Sequence, residues 1–167
     1  LETIRSKKEK VLIFAISKEV QKFLQTALRL YFDLQESPPI INGDTKVKKS
    51  ANRKDSSSRK ELIDRFQEES GFGIMILSPI AAGVGLTITK PNHVIHLERH
   101  WNPAKEAQAT DRVYRIGQKL PVSVWIPILL HPSHESFDEK LDKLLTRKLG
   151  LSDSVITPES VSPSDLG

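Results

Sequence analysis

Val11-Leu12-Ile13-Phe14-Ala15 is a run with no polar side chain. A short continuous apolar stretch of this kind is expected of a strand buried on both faces. Ile74-Met75-Ile76-Leu77 repeats the pattern, and His93-Val94-Ile95-His96-Leu97, with a histidine at each end of Val-Ile, reads as a fourth strand. Ile40-Ile41, after Pro38-Pro39, starts a shorter strand, and a fifth falls within Val122 to Leu130. Helical spacing fills the intervals. Val20, Phe23, Leu24, Ala27, Leu28 and Tyr31 form one stripe behind a Ser17 cap. Ser57 or Ser58 can cap a helix carrying Leu62, Ile63 and Phe66. Asn102-Pro103 is a good N-cap and first-turn pair, and the helix it opens is predicted to stop at Gly117. Phe137, Leu141, Leu144 and Leu145 mark a last amphipathic helix. This alternation predicts an α/β fold: a mostly parallel sheet with helices on both faces, hence three layers.

The chain has 167 residues, enough for one full core. The predicted domain covers 1–149, and residues 150–167, rich in Ser, Pro and Asp, read as a flexible tail. The absence of cysteine excludes disulfide scaffolds, thiolate metal sites and cysteine nucleophiles. No apolar run approaches the ~20 residues of a membrane span. The start at Leu1 resembles no signal peptide and lacks Met, which fits a chain cut from something larger.

Net charge is +4, unevenly spread. Residues 46–60 hold seven Lys/Arg against one Asp, net +6, so the remainder is net −2. A Ser-rich basic run cannot bury itself, so a mobile loop is predicted over 46–58. It is either a solvated insertion or a phosphate-binding footprint.

Two segments carry chemistry. Ser78-Pro79-Ile80-Ala81-Ala82-Gly83-Val84-Gly85-Leu86-Thr87 leaves the third strand directly. Ligands of open α/β sheets bind beyond the carboxyl ends of strands. Two glycines there admit close backbone approach, and free N–H groups can face phosphate oxygens. A tight strand exit with close packing explains the same residues. In the second segment, Gln108, Asp111, Arg112 and Arg115 fall at i, i+3, i+4 and i+7, predicting one polar face. The other face offers Ala107, Val113, Tyr114 and Ile116 to the core. That polar face is either solvated, with an Asp111–Arg115 pair, or aims two arginine forks at an anion.

The sequence also resembles a family. Trp101-Asn102-Pro103, Gln108-Ala109, Asp111-Arg112 and Arg115-Ile116-Gly117-Gln118 are together similar to the last helicase motif of Swi/Snf-type DNA-translocating ATPases. Ile76-Leu77-Ser78 with Ala82-Gly83-Val84-Gly85-Leu86 resembles the preceding motif. Asn42-Gly43-Asp44, then Arg59 and Glu61 to Phe66, resembles the stretch before it, and Val11 to Phe14 sits where the second lobe begins. The resemblance spans about residues 9–148, and residue style within Trp101–Gln118 is nearer to bacterial members.

The resemblance implies a RecA-like second lobe, with ATP in the cleft shared with an N-terminal RecA-like lobe of the same parent chain. By motif match Arg112 and Arg115 are the arginine fingers, and Gln108, Asp111, Gly83 and Gly85 line the nucleotide. Ser78, Gly43 and Trp101 match positions that face or approach duplex DNA; Trp101 has core packing at a helix start as its alternative. Lys46, Lys48, Lys49, Arg53 and Lys54 of the basic loop are further candidate DNA contacts, from charge alone. The implied compartment is the one holding DNA: cytoplasmic and nucleoid-associated in a bacterium, nuclear in a eukaryote. Three departures stand out. Pro79 replaces the usual Thr, Ala82 replaces a frequent glycine, and the basic loop exceeds the usual connection.

No Gly-x-x-x-x-Gly-Lys-Ser/Thr occurs, so no P-loop cradles a triphosphate. ATP and Mg²⁺ are therefore expected to be held mainly by the absent first lobe, and this chain is expected to be inactive alone. The pairs His96/His100 and His131/His134, without cysteine or His-Glu-x-x-His, read as structural histidines and predict no metal site. No Gly-x-Ser-x-Gly elbow is present. A basic last helix with snorkelling lysines fits a core helix better than a membrane contact. The alternative to a motor lobe is a non-catalytic module that keeps the fold and binds nucleic acid or protein.

Overall fold

The computed structural model describes residues 1–46, 58–82, 87–114 and 116–156. Its elements in chain order are α1 (Glu2–Ser6), β1 (Lys10–Phe14), α2 (Lys18–Tyr31), β2 (Ile40–Ile41), α3 (Arg59–Glu68) and β3 (Gly73–Leu77). There follow α4 (Pro79–Ala82), β4 (His93–His96), α5 (Pro103–Thr110), β5 (Ser123–Trp125) and α6 (Phe137–Ile156). The chain divides into two compact units, one of residues 1–100 and 104–127, the other of residues 101–103 and 128 onward.

The first unit holds a five-stranded sheet in the order β2-β3-β1-β4-β5. Every pairing is parallel, with Val11 beside Ile74 and His93, and Phe14 beside Leu77 and His96. Parallel strands need crossovers, and these place helices on both faces. Alternate β1 side chains separate accordingly. Leu12 and Phe14 pack with Ile63, Phe66, Ala109 and Val113, while Val11 and Ile13 pack with Ile4, Leu28 and Phe32. Four β1 side chains almost wholly removed from water contribute about 2 kcal/mol each, which explains the unbroken apolar run from Val11 to Phe14. The expected parallel three-layer architecture is therefore present.

Several boundaries differ from the sequence expectation. Within α2, Leu28 is buried, but Phe23 and Tyr31 are 71% and 67% exposed. The buried polar position is Gln21, whose amide donates to Ala15 O and accepts from Asn42 Nδ2. Its hydrogen bonds satisfy a corner that apolar periodicity cannot register. Ser58, not Ser57, caps α3, through a reciprocal capping box with Glu61. Strand β5 keeps only Ser123–Trp125 of the wider run, between Pro121 and Pro127, which cannot donate to a ladder.

Helix α5 ends at Thr110 instead of Gly117. The Thr110 carbonyl accepts from both Val113 N and Tyr114 N, and Arg112 O, which a continuing helix would use, accepts from Ile88 N. Consequently Ala109 and Val113 enter the core, while Ala107, Tyr114 and Ile116 are exposed, opposite to the face predicted for them. In the second unit α6 continues through Gly150 to Ile156, past the expected start of the tail. Residues 157–167 lie outside the described residues, as does most of the 46–58 loop.

Candidate functional site at the carboxyl edge of the sheet

Because all five strands run the same way, their carboxyl ends meet along one edge. Ser78, following β3, donates its N–H to Ile41 O at the end of β2. That bond sets Ser78 beside the Asn42-Gly43-Asp44 turn. The turn closes through Asp44 N to Asn42 Oδ1 and Thr45 N to Asn42 O. Nothing lies within 4 Å of where a Gly43 Cβ would stand, so this glycine leaves open space at the edge. Pro79 opens α4 at a position whose N–H has no helical partner, so its missing donor costs that helix nothing.

Arg59 secures the same corner. Its buried guanidinium donates through Nε to Thr45 O and Nη2 to Asn42 O, and its N–H donates to Lys46 O. The basic loop thus leaves and re-enters the fold at a closed base, with half-buried Lys46 on one side and Ser58 on the other. Lys48, Lys49, Arg53 and Lys54 lie outside the described residues.

The β4 end is built from acids that the sequence did not single out. Glu98 accepts from Ile16 N and Ser17 N at 2.7 and 2.9 Å, placing a carboxylate at the start of α2. Glu106, 7% exposed, takes Arg99 Nε on both oxygens, at 2.9 and 3.1 Å, and His100 N at 2.8 Å. Both side chains of the Arg99–Glu106 pair are about nine-tenths buried. His96, wholly enclosed, stacks on Phe14 and hydrogen-bonds Thr110 Oγ1 through Nε2 at 2.9 Å. Burial pushes its imidazole pKa below the ordinary histidine value, with Glu106 opposing that shift and Arg99 adding to it. These contacts bring the end of α5 back to the end of β4.

The arginine segment is arranged differently from its spacing. Gln108 and Asp111 are exposed, whereas Arg112 is only 8% exposed. The shared polar face is lost because α5 stops at Thr110 and residue 112 leaves the helical path. Arg115, Gly83 and Gly85 lie outside the described residues. What the structure does join is backbone: Ile88 N donates to Arg112 O, so the residues leaving the glycine segment adjoin the arginine turn. Gln118 is structural, donating to Pro91 O and accepting from Leu120 N.

Trp101 belongs to the second unit. It is 57% exposed rather than packed in a core. Its ring meets Phe137 edge to face, with centroids 5.8 Å apart, and Lys148 Nζ donates to its carbonyl. Among the described residues no cluster of three or more metal-ligating side chains occurs, and no helix is long and apolar enough to cross a membrane.

The architecture is that of a RecA-like α/β lobe whose candidate site lies along one strand edge. The chain belongs to the family of the helicase conserved C-terminal domain, whose pattern matches residues 1–117, and its relatives are Swi/Snf-type ATPases. It is 46% identical over 154 residues to the Zorya protein ZorD of Escherichia coli O139:H28, covering 91% of this chain and 14% of that protein. It is 33% identical over 159 residues to the ATP-dependent helicase FUN30 of Saccharomyces cerevisiae, covering 95% and 13%. Among solved structures, the C-terminal part of the Fun30 ATPase domain aligns with a TM-score of 0.67 and 31% identity, covering 85% of this chain and 40% of that one. The Sulfolobus solfataricus SWI2/SNF2 ATPase core domain aligns at 0.64 and 29%, covering 93% and 28%. The chain therefore spans about one seventh of the length of these curated relatives.

Proposed function

We propose that this chain is the second motor lobe of an ATP-driven duplex-DNA translocase, completing an ATP site whose phosphate-binding loop and Mg²⁺ ligands stand on a first lobe. The observation that carries this is the junction of the two motif segments. The Ile88–Arg112 bond sets the exit of the glycine segment against the arginine turn, and that segment begins at the carboxyl end of β3, the kind of edge where α/β proteins bind ligands. Gln108, Asp111, Gly83 and Gly85 line the nucleotide in this proposal, and Arg112 and Arg115 supply charge to the transferring phosphoryl group. Ser78 and Gly43, joined through the Ile41–Ser78 bond, form one DNA contact; Trp101 and the loop cations Lys46, Lys48, Lys49, Arg53 and Lys54 supply others. The lobe works wherever the parent chain meets DNA: nucleoid or nucleus.

Burial of Arg112 favours a second reading, a non-catalytic module in which this arginine is structural. Steady-state phosphate release by the parent chain separates the two. The motor reading expects Arg115→Ala to lower kcat on the order of 10³-fold with DNA affinity kept, and expects Lys not to rescue a fork. It also expects no turnover by the isolated chain, with or without duplex. Unchanged kcat in Arg115→Ala, or DNA-stimulated release by the isolated chain, would refute it.

A further inference from the structure

Helix α6 carries exposed positive charge, of which Lys148 also donates to the Trp101 carbonyl. Its N-terminus is closed by Ser136 and Glu139, which exchange backbone N–H bonds reciprocally. Leu141 and Leu145 are buried. Phe137, Lys140, Leu144, Arg147 and Lys148 fall at i, i+3, i+7, i+10 and i+11, a single stripe, and all are exposed. The stripe extends for about 16 Å at the helical rise. The helix's acids Asp138, Glu139 and Asp142 lie off it; Asp138 accepts from Leu129 N, Glu139 serves the cap, and Glu135, which feels Lys140, pairs with Lys143. Among the described residues no carboxylate pairs with Lys140 or Arg147. At the start of the stripe stand two exposed rings in edge-to-face contact, Phe137 at 61% and Trp101 at 57%.

We infer that this stripe is a second duplex-DNA contact, with Lys140, Arg147 and Lys148 on backbone phosphates and Phe137 setting the Trp101 ring against the nucleic acid. The inference rests on the DNA-lobe reading above and extends it to a helix that the helicase motifs do not include. Charge complementarity identifies the occupant. Three aligned cations, with no carboxylate of the helix on their line, match a regularly spaced polyanion, and exposed rings beside cations are the usual surface for bases and sugars. An anionic lipid surface fits less well. A helix lying in a membrane interface presents a broad apolar face, and here Leu141 and Leu145 are already buried.

The test uses this chain with Trp125→Phe, which leaves Trp101 as its one tryptophan. Duplex binding is titrated against salt, and Trp101 emission is followed on adding DNA. Exchanging Lys140, Arg147 and Lys148 together for Gln is expected to flatten the slope of log K against log salt by roughly two to three units, from about 0.9 per phosphate contact. Phe137→Ala is expected to leave that slope unchanged and to cut the DNA-induced quenching of Trp101 at least severalfold. A parallel variant carries Ser at the five loop cations.

If the loop variant flattens the slope and the α6 variant does not, the α6 contact is refuted and the DNA-lobe reading stands. If the unsubstituted chain binds no duplex at low salt, both fall. If the α6 variant loses binding only to phosphatidylglycerol vesicles, the stripe is a lipid surface and the inference is overturned. Trp125, Phe137, Lys140, Arg147 and Lys148 are exposed, and unfolding curves matching the parent confirm that no variant acts through folding.

Discussion

Glu106→Gln tests whether the loop between β4 and α5 is held by its buried ion pair. The carboxylate binds Arg99 Nε through both oxygens and His100 N through one, with both pair members about nine-tenths buried. Removing one partner of such a pair leaves a charge in low dielectric and costs about 3–5 kcal/mol. Gln keeps one acceptor oxygen at the same place, retaining roughly 1 kcal/mol of hydrogen bonding. A net loss of about 2–4 kcal/mol follows, a large share of the ~5–15 kcal/mol that stabilises an ordinary domain.

The assay is urea unfolding followed by Trp125, which lies in the same compact unit, in a Trp101→Phe background. With a slope of about 2 kcal/mol per molar urea, the midpoint should fall by roughly 1–2 M. Combining Arg99→Leu with Glu106→Leu should recover much of that loss, because an apolar pair leaves no stranded charge. A midpoint change under about 0.3 M in Glu106→Gln would show that water reaches the pair and that another contact holds the loop.

Two other outcomes are expected. Replacing Lys46, Lys48, Lys49, Arg53 and Lys54 by Ser should flatten the salt slope of duplex binding by roughly two to four units without lowering the unfolding midpoint; equal slopes would make the loop a solvated insertion. His96 has a lowered folded-state pKa from burial, so the unfolded chain takes up its proton first as pH falls. Its contribution is complete above the ordinary histidine pKa of about 6.5 and is lost as pH drops from there toward the folded value. Stability should therefore decline more steeply with acid in the parent than in His96→Phe, by at most about 1.4 kcal/mol per pH unit; parallel profiles would refute the shift.

The strands were legible because a parallel sheet covered on both faces leaves no polar positions along its central members, and Val11 to Phe14 and Ile74 to Leu77 obey that literally. The helices were legible as helices but not as oriented objects. The α2 stripe includes Phe23 and Tyr31, which face solvent, and omits Gln21, which is buried because its amide meets Ala15 and Asn42. Periodicity weighs apolar area and is blind to a polar group whose partners arrive from distant segments. The end of α5 shows the same limit in the backbone. Nothing between Thr110 and Gly117 is a strong breaker, and the stop coincides with Ile88, more than twenty residues upstream, taking the Arg112 carbonyl. That exchange removes Arg112 from the face shared by Gln108 and Asp111, so motif spacing found the residue and the fold decided its exposure. Glu98 and Glu106 were invisible as site-builders for a related reason, and Arg59, quoted in the motif match, carried no structural role in sequence. Each is an ordinary charged side chain in sequence, and its value lies in carbonyls or N–H groups that only the folded chain brings within 3 Å. The edge of the sheet thus takes its position from apolar strands that sequence reveals, and its detailed shape from charges that sequence leaves unassigned.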